Sequence, residues 1–152
     1  MAQFSSELDK MLRVCTVRLR VGHGGGQGTG FFVAPGLILT CAHVVEAAQP
    51  NTKPVQVDWN GQSHTAKIQT YLAKPYPDLA LLCLDPQHHP CAYLYQEVSL
   101  RDPLYSYGYT DDYPNGDSAT FEEEKVANTQ ILAAAAHCQS LEQISNSRVL
   151  PI

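Results

Sequence analysis

The 152-residue sequence predicts a mainly β fold built on a six-stranded antiparallel barrel, with a helical segment at each end. Three observations predict it. Between Arg13 and Leu84 the apolar residues alternate with a period of two or fall in strand-length runs. Gly, Pro and one Asn-Gly pair punctuate those runs at hairpin spacing. From Glu122 to Leu150 there is neither Gly nor Pro, and the stretch is rich in helix formers.

Taken in order, residues 1–10 read as an N-terminal helix, because "SSELDKML" offers serine caps, an early acid, and Phe4, Leu8 and Met11 at helical spacing. Residues 11–85 read as the barrel. "RVCTVRLR" alternates Cys15, Val17 and Leu19 against Val14, Thr16 and Arg18, the pattern of a half-buried first strand. The glycine-rich "VGHGGGQGTG" follows as a loop; a strand comes next instead of a helix, and no Lys-Ser/Thr pair closes it, so it is no nucleotide-binding loop. "GFFVA" and "LILTC" form strands two and three around the Pro35-Gly36 turn. "PVQVDW" and "HTAKIQTYL" pair across Asn60-Gly61, and "LALLCL" supplies the sixth strand. Residues 86–121 read as a linker and then the start of a second barrel, "PLYSYGY" and "SATFE" flanking a Pro-Asn-Gly-Asp turn; the tyrosines in this region are expected in barrel walls. Residues 122–152 read as a helical tail with acids at its front.

Composition narrows the function classes. A net charge of -5 with only ten Lys and Arg argues against a nucleic-acid partner. No apolar run approaches the roughly 20 residues that span a bilayer, and the N-terminus has no signal-peptide pattern, so no membrane association and a cytoplasmic location are expected. Five cysteines at irregular spacing fit buried reduced thiols better than a disulfide framework. "HHPC", with His88, His89 and Cys91, lacks an accompanying C-x-x-C pair, so neither a metal nor another cofactor is expected.

Two residues stand out chemically. His43 opens a short helix-like turn after strand three, in "LTCAHVV", where small neighbours let the turn sit tightly on the barrel. Asp78 stands at the mouth of the sixth strand in "YPDLALLCL", a place where an acid has no packing rationale and must meet a donor. If Asp78 accepts the Nδ1 hydrogen of His43, it fixes the tautomer in which Nε2 can take a proton from a nucleophile.

"GTGFFVAPGLILTCAHVV", "DLALL" and "LYSYGY", in that order over about residues 12–121, resemble the trypsin-like serine endopeptidases of the chymotrypsin fold, in particular the HtrA-like bacterial peptidase domains. The resemblance implies the first barrel of that fold plus a partial second one. It also implies peptide-bond hydrolysis through an acyl-enzyme, with His43 as general base and Asp78 as its orienting carboxylate. The family's serine sits in G-x-S-G-[GA], and no such motif occurs in these 152 residues. Ser118, in "NGDSAT", is the remaining nucleophile candidate, yet Ala119 and Thr120 replace the small residues that the tight turn needs. Cys138 falls in the expected tail helix without flanking glycines. The resulting expectation is a protease domain truncated in its second barrel, carrying base and orienter without a nucleophile. Its partner would be a peptide or protein substrate once completed. The alternatives are a non-catalytic protease-like binding module, or a half-protease complemented by a separate chain; a complementing chain or an effector module would then be a further partner.

Overall fold

A computed structural model describes residues 6–22, 27–49, 53–73, 75, 77–85, 88–93, 103–122 and 137–139. Helix α1 spans Ser6–Cys15. Strands β1 Thr16–Val21, β2 Gln27–Ala34, β3 Leu37–Thr40, β4 Val55–Trp59, β5 Gln62–Leu72 and β6 Leu79–Cys83 close into a barrel in the order β1-β2-β3-β6-β5-β4. Every pairing in it is antiparallel. Short hairpins dictate this result. Asn60 and Gly61 both take positive φ, 50° and 74°, which a two-residue turn matching the strand twist requires.

Alternation along the strands fills the barrel. Val17, Leu19 and Val21 of β1 point inward with Phe32, Ile38, Val55, Val57, Ile68 and Leu82, all buried. Arg18 and Arg20 point outward, and both bond Asp58 on β4 across the β1–β4 seam, at 2.8 and 2.7 Å. Burial alone would raise the Asp58 carboxyl, but hydrogen bonds from Arg20, Ser63 and Arg18 bring it down to about 2.

The chain departs from the sequence-based expectation in three places. Helix α1 runs on to Cys15, so the first strand starts at Thr16 and not near Met11. Leu12 and Cys15, three residues apart, are both buried, and Met11 packs on the cluster formed by Cys15 and Ala92, so tertiary contact overrides the β-branched character of Val14. The Val14 carbonyl at the helix end accepts from Trp59 Nε1 at 2.7 Å.

A short strand, β7 Cys91–Tyr93, lies where a linker was expected. His89 just before it is 2% exposed. Its ring stacks on Phe32 at 3.6 Å and meets Trp59 edge-on at 5.9 Å, while Nε2 accepts from the Gly36 N–H at 3.0 Å. Of "HHPC", His89 and Cys91 are therefore core packing and backbone satisfaction, while His88 is exposed.

Strands β8 Pro103–Gly108 and β9 Asp117–Glu122, the two strands expected after the first barrel, pair as an antiparallel two-stranded sheet. Thr29 on β2 bonds both the N–H and the carbonyl of Tyr109, and Gln27 Nε2 donates to the Thr110 carbonyl at 2.7 Å, tying the hairpin to the first barrel. Most of the expected tail helix lies outside the described residues. Where the tail is described, the expectation is corrected: His137–Gln139 form strand β10, antiparallel to β7. The open edge of β7 offers backbone donors and acceptors that outweigh the helical preference of the tail.

Candidate functional site

Strand β3 ends at Thr40, whose hydroxyl donates to the Thr29 carbonyl at 2.7 Å. Cys41 is extended, φ -76° and ψ 142°, and the chain then enters a 3-10 helix over Ala42–Ala48. A three-residue period aligns Ala42, Val45 and Ala48 on one buried face, and this leaves His43 on the open side. Val44 presses on Gly28 of the "GTG" segment. A Cβ at Gly28 would come within 2.5 Å of Val44 Cγ1, so glycine there lets the turn settle against β2.

Asp78 precedes β6 with φ 53°, the left-handed region that aspartate enters more readily than most side chains. This conformation turns three acceptors toward one segment. The Asp78 carbonyl accepts from the Ala42 N–H at 3.1 Å. Its Oδ1 accepts from the His43 backbone N–H at 2.9 Å, and Oδ2 lies 2.7 Å from His43 Nδ1. The strain of about 1–2 kcal/mol in the backbone is offset by these charge-assisted bonds. An ionised carboxylate only accepts, so Nδ1 carries the hydrogen and Nε2 is left with its lone pair. The His43 side chain is 44% exposed and that of Asp78 22%, which leaves the imidazole open to a reacting partner.

Tyr71 of β5 stays protonated beside this pair. Loss of solvation raises its phenol, and the carboxylates of Glu46 and Asp78 raise it further.

The structure thus brings the two sequence-predicted residues together, and Ser118 is placed apart from them in its bonding. Ser118 is exposed on β9 opposite Tyr107, and its N–H donates to Asp117 Oδ1 at 2.8 Å. Among the described residues no hydrogen bond joins it to His43. The preceding turn is closed by Gly116 N–H to the Tyr113 carbonyl at 3.1 Å, the ordinary use of a Pro-Asn-Gly-Asp stretch. Cys138 lies on β10 opposite Ala92.

Cys41, expected from the sequence as a buried thiol and as a small residue in "TCAH", is instead exposed. In the structure one ligating atom from each of Cys41, His43 and Asp78 lies within 4.8 Å of the others. The C-x-H spacing at the end of a strand was the available signal.

Comparison with known proteins agrees with the fold. The sequence matches the family described as "Trypsin-like peptidase domain" over residues 28–147. That span includes residues 122–147, which the sequence reading had set outside the family. Among solved structures, the fold is similar to a serine endoprotease from Yersinia pestis, with TM-score 0.63, 18% identity, and 75% of this chain and 42% of that one covered. It is also similar to Deg5, with TM-score 0.58, 19% identity, and 78% and 63% covered. The chain therefore spans less than two thirds of either structure. No curated protein matches it. Among the described residues no helix is long and apolar enough to cross a membrane.

Proposed function

Because the chain belongs to the trypsin-like peptidase domain family, we propose that it carries the proton-transfer half of a serine endopeptidase site, with His43 as general base and Asp78 as the carboxylate that orients it. The observation that carries this reading is the double hold of Asp78 on His43, through Nδ1 at 2.7 Å and the backbone N–H at 2.9 Å. A carboxylate placed this way selects the tautomer that accepts a proton at Nε2, the step that activates a hydroxyl for attack on a peptide carbonyl.

These 152 residues contain no G-x-S-G motif, so the nucleophile and the oxyanion hole come from outside them. Losing a triad serine costs about 10⁶ in turnover, about 8 kcal/mol of barrier. By themselves these residues are catalytically incomplete, and the hydrolysis of peptide or protein substrates that His43 and Asp78 would serve requires a nucleophile supplied from outside them. Neither nucleic acid nor membrane is a partner, and the reduced thiols fit a cytoplasmic setting.

A second reading, a non-catalytic protease-like module, is favoured by one observation: β10 pairs with β7, so the tail covers an edge of the structure that would otherwise be open. The test is reaction of the purified chain with a fluorophosphonate probe beside a peptide-hydrolysis assay. No labelling and no turnover are expected from the chain alone, and both are expected on adding a polypeptide that bears G-x-S-G-G. Stoichiometric labelling of Ser118 with turnover by the chain alone would overturn the proposal. Continued inactivity with a range of such partners would favour the binding module.

A further inference from the structure

We propose that Cys41, His43 and Asp78 form a site for a thiophilic divalent cation, zinc being the type, and that cation binding and proton acceptance by His43 exclude each other. The second clause rests on the reading of His43 as a base. The first does not.

The donor set is one sulfur, one imidazole nitrogen and one carboxylate oxygen, each within 4.8 Å of the other two. Zinc takes such mixed ligands at roughly 2.0–2.3 Å, which puts ligand atoms about 3.3–3.7 Å apart around a tetrahedron. Closing that difference of about 1 Å lies within reach of a side-chain rotation of Cys41, which is exposed. The backbone carrying the donors is fixed. Cys41 follows β3 and Asp78 precedes β6, and these strands pair at Thr40 and Ala80. The Asp78 carbonyl is bonded to Ala42 and its Oδ1 to the His43 N–H, so Oδ2, held 2.7 Å from His43 Nδ1, is the oxygen that would exchange its bond for the cation. Among the described residues no second group of three such side chains converges in this way. His89, the other histidine near a cysteine, has its Nε2 committed to the Gly36 N–H. Three protein ligands on an exposed turn leave the fourth position to water or to a group of a bound molecule.

Binding replaces one bond with another in a balanced way. The Cys41 thiol releases its proton to solvent as the sulfur–metal bond forms, and the imidazole binds neutral. If the ring ligates through Nδ1, the proton held there moves to Nε2, which then donates where a base must accept. If it ligates through Nε2, the lone pair itself is consumed. In both cases Asp78 Oδ2 exchanges its hydrogen bond to His43 for the cation.

Titration calorimetry of the full 152-residue chain with zinc chloride, in two buffers of different ionisation enthalpy, should show one ion bound and one proton released per chain. Cobalt in place of zinc should give a thiolate charge-transfer band. Cys41→Ser and His43→Ala should each weaken binding by at least about tenfold and abolish the band, whereas His88→Ala should leave both unchanged. A measurement that needs no variant is alkylation of Cys41 followed by peptide mass spectrometry, which saturating zinc should suppress. Equal affinity in Cys41→Ser, or equal alkylation with and without zinc, overturns the site. Carbethoxylation of His43 by diethyl pyrocarbonate tests the second clause, because the reagent needs an available ring nitrogen. Zinc should block it. Undiminished modification in the zinc-loaded chain overturns the exclusion and removes His43 from the ligand set, and neither readout depends on whether the chain hydrolyses peptides.

Discussion

Thr29 Oγ1 accepts from the Tyr109 N–H at 2.7 Å and donates to the Tyr109 carbonyl at 3.0 Å, so one hydroxyl satisfies both backbone groups of a residue eighty positions away. This joins the first barrel to the β8–β9 hairpin. Gly108 beside it is close enough that a Cβ would lie 2.8 Å from that hydroxyl. Thr29→Val keeps the shape and removes both bonds. Leaving the Tyr109 groups unpaired should cost about 1–3 kcal/mol. The expected result is a lower urea midpoint with faster amide exchange confined to β8, β9 and Tyr109, and unchanged protection in β5 and β6.

Gly28→Ala tests the packing under the histidine. The added methyl meets Val44 Cγ1 at 2.5 Å and Cγ2 at 2.8 Å, so Val44 must move, and His43 is its neighbour in the chain. A loss of about 1–3 kcal/mol is expected, accompanied by shifted His43 ring resonances. Adding Val44→Ala should recover most of the loss, and failure to do so would place the strain elsewhere.

The six barrel strands and their order in the chain were legible because period-two patterning and turn chemistry are local signals. Val17, Leu19 and Val21 alternate with Arg18 and Arg20, and Asn60-Gly61 permits little besides a tight hairpin. The His43–Asp78 pairing was legible for a different reason: an acid at the mouth of an apolar strand needs a donor, and the strand order supplies one. What stayed hidden depends on long-range contact. Nothing near His89 in sequence announces that its ring will stack on Phe32 and serve the Gly36 N–H. Similarly, His137–Gln139 read as helix until the edge of β7 is there to pair with them. The exposure of Cys41 and its proximity to Asp78 stay hidden too, because they arise only when β3 and β6 lie side by side.

His89 sets the direction of the pH dependence near neutrality. Burial holds its imidazole below the ordinary value of 6.5, against a smaller raising contribution from the Pro90 carbonyl. The unfolded chain therefore binds more protons than the folded one between the two values. Stability is complete above about pH 6.5 and declines as the pH falls below it. Protonation would also place a second N–H against the Gly36 donor. His89→Gln keeps an acceptor for that donor and cannot titrate. Urea midpoints measured from pH 7.5 to 5 should fall in the parent and fall less steeply in the variant. Parallel slopes would show that another group governs this range.

Asp78 combines two roles that substitutions can separate. In Asp78→Asn the carbonyl oxygen can still accept from the His43 N–H, and asparagine tolerates φ 53° as well as aspartate does. Its amide, however, now donates to Nδ1, which pushes the imidazole hydrogen to Nε2 and turns the base into a donor. Nitrogen chemical shifts of His43 should report the Nδ1–H tautomer in the parent and the Nε2–H tautomer in the variant, with stability nearly unchanged. If a complementing chain restores peptide hydrolysis to the parent, the variant should fall short by about 10⁴ in turnover. Asp78→Ala removes both side-chain bonds and places an unsuited residue in the left-handed region, at a cost of about 1–2 kcal/mol for the backbone alone. Its melting temperature should drop while that of Asp78→Asn holds. Equal losses in the two variants would mean that the carboxylate charge, and not the tautomer it selects, is what the fold requires at this position.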